Sequence, residues 1–213
     1  MQLAPQGSMA ETLRVPAAPQ CPLESVIFTE ELDRRSVASA DSERVGGATV
    51  DFARQLSNEA PHNLFPRLVQ GILDSTSGES AGVSLFCEKR HAFVWPAVAG
   101  GLASYVGAGT PRDFGPCGVV LDRDAVVLFQ HPERYFSYLE AISPPLEEVL
   151  LAPFHVGGRA VGTVWAVIHE PGKKFEPADK RMLENFSAAA GTIYHFLCER
   201  GELQSQLDVS TVA

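Results

Sequence analysis

"EVLLAPFHVGGRAVGTVWAVIHE", residues 148–170, decides the fold. Two β-rich runs flank Gly157-Gly158, a dipeptide that accepts the positive φ angles of a tight hairpin. On the return run Ala160, Gly162, Val164, Ala166 and Ile168 share one face, while Val161, Thr163, Trp165 and Val167 share the other. That period of two is a strand's. Both faces are largely apolar, so both are expected to be covered, one by helices and the other by a loop or ligand lid.

Downstream of "PGKKFE", a long helix is predicted with Pro177 near its first position and Asp179 in its first turn. Met182, Leu183, Phe186, Ala190, Ile193 and Phe196 or Leu197 form its apolar stripe. Upstream, Ala81, Val83, Leu85 and Cys87 alternate with Ser84, Phe86 and Glu88, which predicts a strand. "FVWPAVAGGLASYVG" predicts a second strand with a bend or bulge at Gly100-Gly101, and "AVVLF" at 125–129 a third. Between them, residues 109–124 are expected to be an irregular linker, because Pro111, Gly115, Pro116 and Gly118 crowd one short stretch. Helices are predicted over 51–60, over Asn63 to Asp74 and over "PERYFSYLEAIS", with Pro144-Pro145 as a breaker. The sum is one α+β domain: a central antiparallel sheet between a helical layer and a loop. Its expected extent is 50–200, with 201–213 as a C-terminal tail. Residues 1–49, rich in Pro, Ala, Ser and Gln, read as a mostly disordered or weakly docked arm, in which "ESVIFTEELDRRS" has the pattern of a short docking element.

A net charge of -9 with mixed signs leaves no basic stripe for phosphates, so neither nucleic acid nor an anionic membrane is an expected partner. No apolar run approaches the roughly 20 residues of a membrane span, and the first 20 residues lack the pattern of a secretory signal. Cys21, Cys87, Cys117 and Cys198 lie far apart without a CxxC pair, which argues against zinc and against a disulfide framework. A cytoplasmic setting is expected.

Several blocks, taken in order, carry a resemblance: "AGVSLF", "FVWPAVAGGLASYVG", "TPRDFGPCGVVLDRDAVVLFQHPERYF", "EEVLLAPFHVGGRAVGTVWAVIHE" and "KKFEPADKRMLENFSAAAG". Together they resemble a GAF domain. More narrowly they are similar to the GAF sensor module near the N-terminus of bacterial sensor histidine kinases, where a Pro-Arg-Asp-Phe-(Ser/Gly)-Pro-Cys-Gly segment recurs. "SVIFTEELDRR" is similar to the lead-in of those kinases, so the resemblance spans roughly residues 22–200. It implies a GAF-like, PAS-related fold with helices on one sheet face and a small-molecule pocket under the linker on the other. It also implies dimerisation, or docking to a sensor kinase, through the terminal helices. After Gly201 only "ELQSQLDVSTVA" follows, and kinase activity is not expected to carry over.

The pocket candidates are Trp95, Tyr105, Arg112, Asp113, Phe114, Cys117, Asp122, Arg123 and Trp165. Trp95, Trp165, Phe93 and Tyr105 suit either an aromatic pocket or plain core. Arg112, Asp113, Asp122, Arg123 and Asp124 suit either a polar ligand or an ion-pair clamp on the loop. Cys117, between Pro116 and Gly118, reads first as a small buried residue, since no histidine lies within a turn of it. A bilin is not expected, because bilin-binding GAF domains typically carry Cys-His and this chain has none. The cyclic-nucleotide pattern is broken, with Gly172 where its Asn would stand and Lys180 where its Glu would stand. Six histidines show no metal spacing, and His155 and His169 fall at opposite ends of the hairpin. The expectation is a non-enzymatic sensor module whose ligand the sequence does not identify. The alternative is a cysteine-dependent redox enzyme or thiol sensor of the methionine sulfoxide reductase type.

Overall fold

The computed structural model describes residues 19–35 and 59–207. The hairpin forms as the Gly-Gly turn requires: β5 (Glu148–Val156) returns as β6 (Arg159–Ile168), with Gly157 and Gly158 at φ 59° and 77°. β1 (Ser80–Cys87) adds antiparallel to β6, and β2 (Ala92–Gly100) antiparallel to β1. β4 (Val127–Gln130) closes the other side against β5. A strand the sequence did not announce, β3 (Gly109–Pro111), pairs with β2 at the far edge. Three residues are too few for alternation to show. The sheet order is β3-β2-β1-β6-β5-β4.

Gly82 is required where it sits. It pairs with Trp165 across the β1–β6 ladder, and a Cβ there would come within 2.1 Å of the indole ring. The glycine lets Trp165 lie flat over the β1 backbone.

One face of the sheet is packed by α2 (Leu64–Ser75) and by the long helix α4 (Pro177–Glu199). Leu64, Phe65, Leu68, Val69 and Ile72 of α2 meet Met182, Leu183, Phe186, Ala190, Ile193 and Leu197 of α4 over Ala81, Val83, Leu85, Val164 and Ala166. Between the two residues left open for the end of the stripe, Leu197 is buried and Phe196 is 43% exposed. A β-bulge between Phe154 and His155 turns Val161 out of the face its alternation predicts and packs it on the helical side. The start of α4 carries a capping box: Glu176 accepts from the Asp179 backbone, and Asp179 Oδ2 accepts from the Glu176 N–H at 2.8 Å. Asp179 Oδ1 also accepts the Ser77 N–H at 2.8 Å, which ties this helix to the turn before β1.

Within residues 19–35, Ile27 bridges Phe129, α1 (Thr29–Arg34) follows, and Val26 and Leu32 are fully buried. Arg35 then reaches the sheet. Its guanidinium donates to both carboxylate oxygens of buried Glu148, at 2.7 and 3.0 Å, and to the Phe175 carbonyl at 2.7 Å. Residues 19–35, placed by sequence in the arm before Val50, thus pack against the sheet. The helix expected over 51–60 lies outside the described residues except for its last two.

The opposite face departs furthest from expectation. The stretch read as an irregular linker contains α3 (Pro116–Arg123), with Pro116 at its first turn. Proline there presets φ and sacrifices only an amide hydrogen that a helix start leaves unused. The helix expected over 132–143 is instead two single 3-10 turns, Pro132–Arg134 and Ser137–Ala141. The last described helix is α5 (Leu203–Leu207).

Candidate functional site

Under α3 and the second 3-10 turn lies a cavity of about 50 Å³. Its floor is the sheet, through Trp95 of β2, Val149 and Leu151 of β5, and Trp165 and Val167 of β6. Its walls and roof are Leu102, Tyr105, Thr110, Pro116 and Cys117, then Tyr138, Leu139, Ile142 and Leu146. No lining side chain is Asp, Glu, Lys, Arg or His. Trp95 and Trp165 meet edge to face with ring centroids 5.6 Å apart. Across the mouth, the Ser143 N–H donates to the Tyr105 hydroxyl at 3.1 Å, and Tyr105 and Ile142 are both only half-buried.

Cys117 docks α3 on the sheet. Its Sγ lies 3.4 Å from Ser84 Oγ, accepts from Thr163 Oγ1 at 3.4 Å, and shares Ser84 with the Trp165 Nε1–H, which donates at 3.0 Å. Burial pushes this thiol above its ordinary value against the opposing pull of Ser84 and Thr163. A buried, protonated thiol is a poor nucleophile. Burial likewise drives the Tyr138 phenol well above its usual range, with Cys117 adding to the rise and Thr110 opposing it. Cys87 behaves differently: burial acts to raise it, but Arg90 and backbone donors outweigh that and hold it below its ordinary value. Cys87, Cys21 and Cys198 are all absent from the cavity wall.

Of the nine candidates, Trp95, Tyr105, Cys117 and Trp165 line this cavity, and the other five do not. Phe114 packs outside the cavity among Tyr135, Phe136 and Tyr138. Arg112 pairs with Asp122 at 2.5 Å and donates to the Gly118 carbonyl at 3.2 Å, a brace along α3. Asp113 faces His91 at 2.9 Å, and Arg123 reaches Glu24 of the lead-in at 2.5 Å. None of these charges enters the cavity, whose apolar walls could not replace their hydration. The sequence reading missed the second half of the lining, Tyr138 to Leu146. Val149, Leu151 and Val167 were accessible to it, since β5–β6 pairing puts them on the Trp165 face.

A larger hollow of about 470 Å³ opens between α1 and β4, but its charged rim is already paired, Arg123 with Glu24 and Glu31 with Arg35. The smaller cavity is the better site because its walls are apolar and converge on a few polar groups. Among the described residues no group of three or more His, Cys, Asp or Glu side chains could hold a metal ion, and no helix is long and apolar enough to cross a membrane.

No family model matches the chain. No curated protein matches it in sequence. Among solved structures, the GAF domain of an Acinetobacter phosphoenolpyruvate-protein phosphotransferase aligns with TM-score 0.63 at 16% identity, over 76% of this chain and 97% of that one. The fold is that of a GAF domain. The free methionine-R-sulfoxide reductase of Neisseria meningitidis, solved with its substrate, also shares this GAF fold, with TM-score 0.55 and 14% identity over 83% of this chain and 96% of that one. So does the GAF-B domain of DevS from Mycobacterium smegmatis, with TM-score 0.54 and 16% identity over 68% and 99%. A GAF fold therefore hosts an enzyme as well as other modules, and the site must decide between them.

Proposed function

We propose that this GAF domain is a non-enzymatic sensor or interaction module that binds a small molecule in the cavity between the sheet and α3. One observation carries the reading: an apolar cavity whose only titratable side chains are tyrosines and a buried, protonated cysteine. Such walls can recognise and enclose, but they offer no group to move a proton near neutral pH. Beside the short helix α3 the roof is made of 3-10 turns, which a ligand can displace at lower cost than a packed helix. A ligand that fits the closed roof better would bias α3 and the lead-in paired to it through Arg123–Glu24. The output would be a second copy or a sensor kinase met through the terminal helices. Phe196, exposed on α4 with Arg200 stacked over its ring at 5.4 Å, suits such a contact.

The competing reading is a thiol enzyme like its methionine-sulfoxide-reducing neighbours. Cys117 in the cavity wall favours it; its protonation and the absence of a second cavity cysteine oppose it. The test is an assay for reduction of free methionine-R-sulfoxide with excess dithiol, run beside thermal-shift screening of neutral small molecules. The sensor reading expects no turnover, and expects Cys117→Ser to keep the ligand-induced shift. Turnover abolished by Cys117→Ser would overturn it.

A further inference from the structure

Three residues that line this cavity carry a buried polar atom with no hydrogen-bond partner: Trp95 Nε1, Thr110 Oγ1 and Tyr138 Oη. Trp95 and Thr110 are 8% and 4% exposed. Leaving a buried donor unsatisfied costs about 1–3 kcal/mol. The three are not equivalent. A Cβ on Gly115 would lie 2.9 Å from the Tyr138 hydroxyl and 3.3 Å from that of Thr110, so these two hydroxyls gather at one spot. Each can donate or accept, and a small rotation lets one serve the other. The indole N–H can only donate, and its counterpart on Trp165 already has Ser84. Trp95 is the group that lacks an acceptor.

The rest of the lining limits what can supply that acceptor. No cationic side chain faces the cavity, so a carboxylate or phosphate would be buried uncompensated, at a cost of many kcal/mol. A volume of about 50 Å³ corresponds to a few water-sized bodies, at roughly 10–15 Å³ for each.

We propose that the cavity selects a compact, neutral molecule with a branched or cyclic apolar body and a single carbonyl or hydroxyl oxygen, which accepts the hydrogen bond of Trp95 Nε1–H. The proposal rests on the cavity being a ligand site at all. Apolar contact with Leu139, Leu146 and Trp165 supplies the affinity, and the indole supplies orientation and the choice of ketone or alcohol over hydrocarbon.

The test uses three molecules of one shape: 3-methylbutan-2-one, isobutyrate and 2,3-dimethylbutane. Each is titrated into ¹⁵N-labelled full-length protein. The chain has two tryptophans, so two indole N–H signals report, and Trp95→Phe assigns them. The ketone is expected to move the Trp95 indole signal and leave that of Trp165 nearly still. It should bind about tenfold more tightly than the hydrocarbon, the worth of one net hydrogen bond. Isobutyrate should not bind at the same concentration, and Trp95→Phe should erase the preference for ketone over hydrocarbon. Equal binding of ketone and hydrocarbon with the Trp95 signal unmoved would overturn the ligand class yet keep the cavity as a site. Isobutyrate binding as well as the ketone would do the same. If none of the three shifts any cavity resonance of the native protein, the ligand class and the sensor reading fall together.

Discussion

The two faces of one sheet are built to different standards. On the helical face α2 and α4 run regular apolar stripes against Ala81, Val83, Leu85, Val164 and Ala166, and Asp179 caps the start of α4 and holds the turn that follows α2. On the other face the cover is α3 and short 3-10 turns, and beneath it lies a void lined by Trp95, whose indole N–H has no acceptor. The contrast separates tasks. A face packed by long helices resists local opening, whereas a face roofed by one short helix and single turns opens at smaller cost, so one side holds the fold while the other responds.

The widest test of that contrast is a matched pair of truncations. Phe65→Ala removes a fully buried ring from the helical face and should lower the unfolding free energy by about 4 kcal/mol, because neighbours locked in two helices cannot close the gap. Leu146→Ala widens a void that already exists, beside a cover of short turns, and should cost about 2 kcal/mol, the low end for such changes. Urea denaturation of both variants measures this. Equal losses would mean that the two faces are packed alike and that the asymmetry has no energetic content.

The same contrast explains what the sequence showed. The hairpin at 148–168 and the stripe of α4 were legible because a positive-φ turn and two clean periodicities leave few alternatives. On the other face the signals are local and conflicting. Pro116, crowded with Pro111, Gly115 and Gly118, reads as part of an irregular linker, yet a proline in the first turn opens a helix as readily as it ends one. Arg112, Asp113, Asp122 and Arg123 suit a polar ligand or an ion-pair clamp by type alone, and in the fold each takes an ionic partner outside the cavity. The site itself was half legible. Trp95 and Trp165 stand out by type, whereas Thr110, Tyr138 and Ile142 are brought in only by tertiary closure, from segments with no period to read.

A smaller effect probes how the segment between β6 and α4 is tied down. Glu79 Oε2 accepts the backbone N–H groups of His169 and Glu170 at 2.6 and 2.9 Å, and Lys173 lies 3.3 Å from Oε1. Burial acts to raise this carboxyl, but those donors outweigh it and hold it below the ordinary value of 4.5. A depressed carboxylate contributes stability above its unfolded value and loses that contribution as pH falls through the folded one. The melting temperature should therefore drop as pH falls below about 4.5, and Glu79→Gln should flatten that limb while leaving the basic limb unchanged. A Gln variant with the same acid limb as the native chain would assign the loss to other carboxylates.

The smallest expected change is a gain. Val167 is 2% exposed and lines the cavity floor beside Trp165, so Val167→Ile adds one methylene toward empty space. In a close-packed core the same addition strains its neighbours, but filling a void commonly stabilises by about 0.5–1 kcal/mol. The variant should therefore unfold at a higher urea concentration, with an unchanged denaturant slope, and bind the ketone probe more weakly, because the added group occupies the ligand's volume. Stability and affinity moving in opposite directions is the signature of a cavity kept open for an occupant. If Val167→Ile instead destabilises, the void is too small to take even a methylene, the roof is already closed on the sheet, and the difference between the faces is one of shape without a binding role.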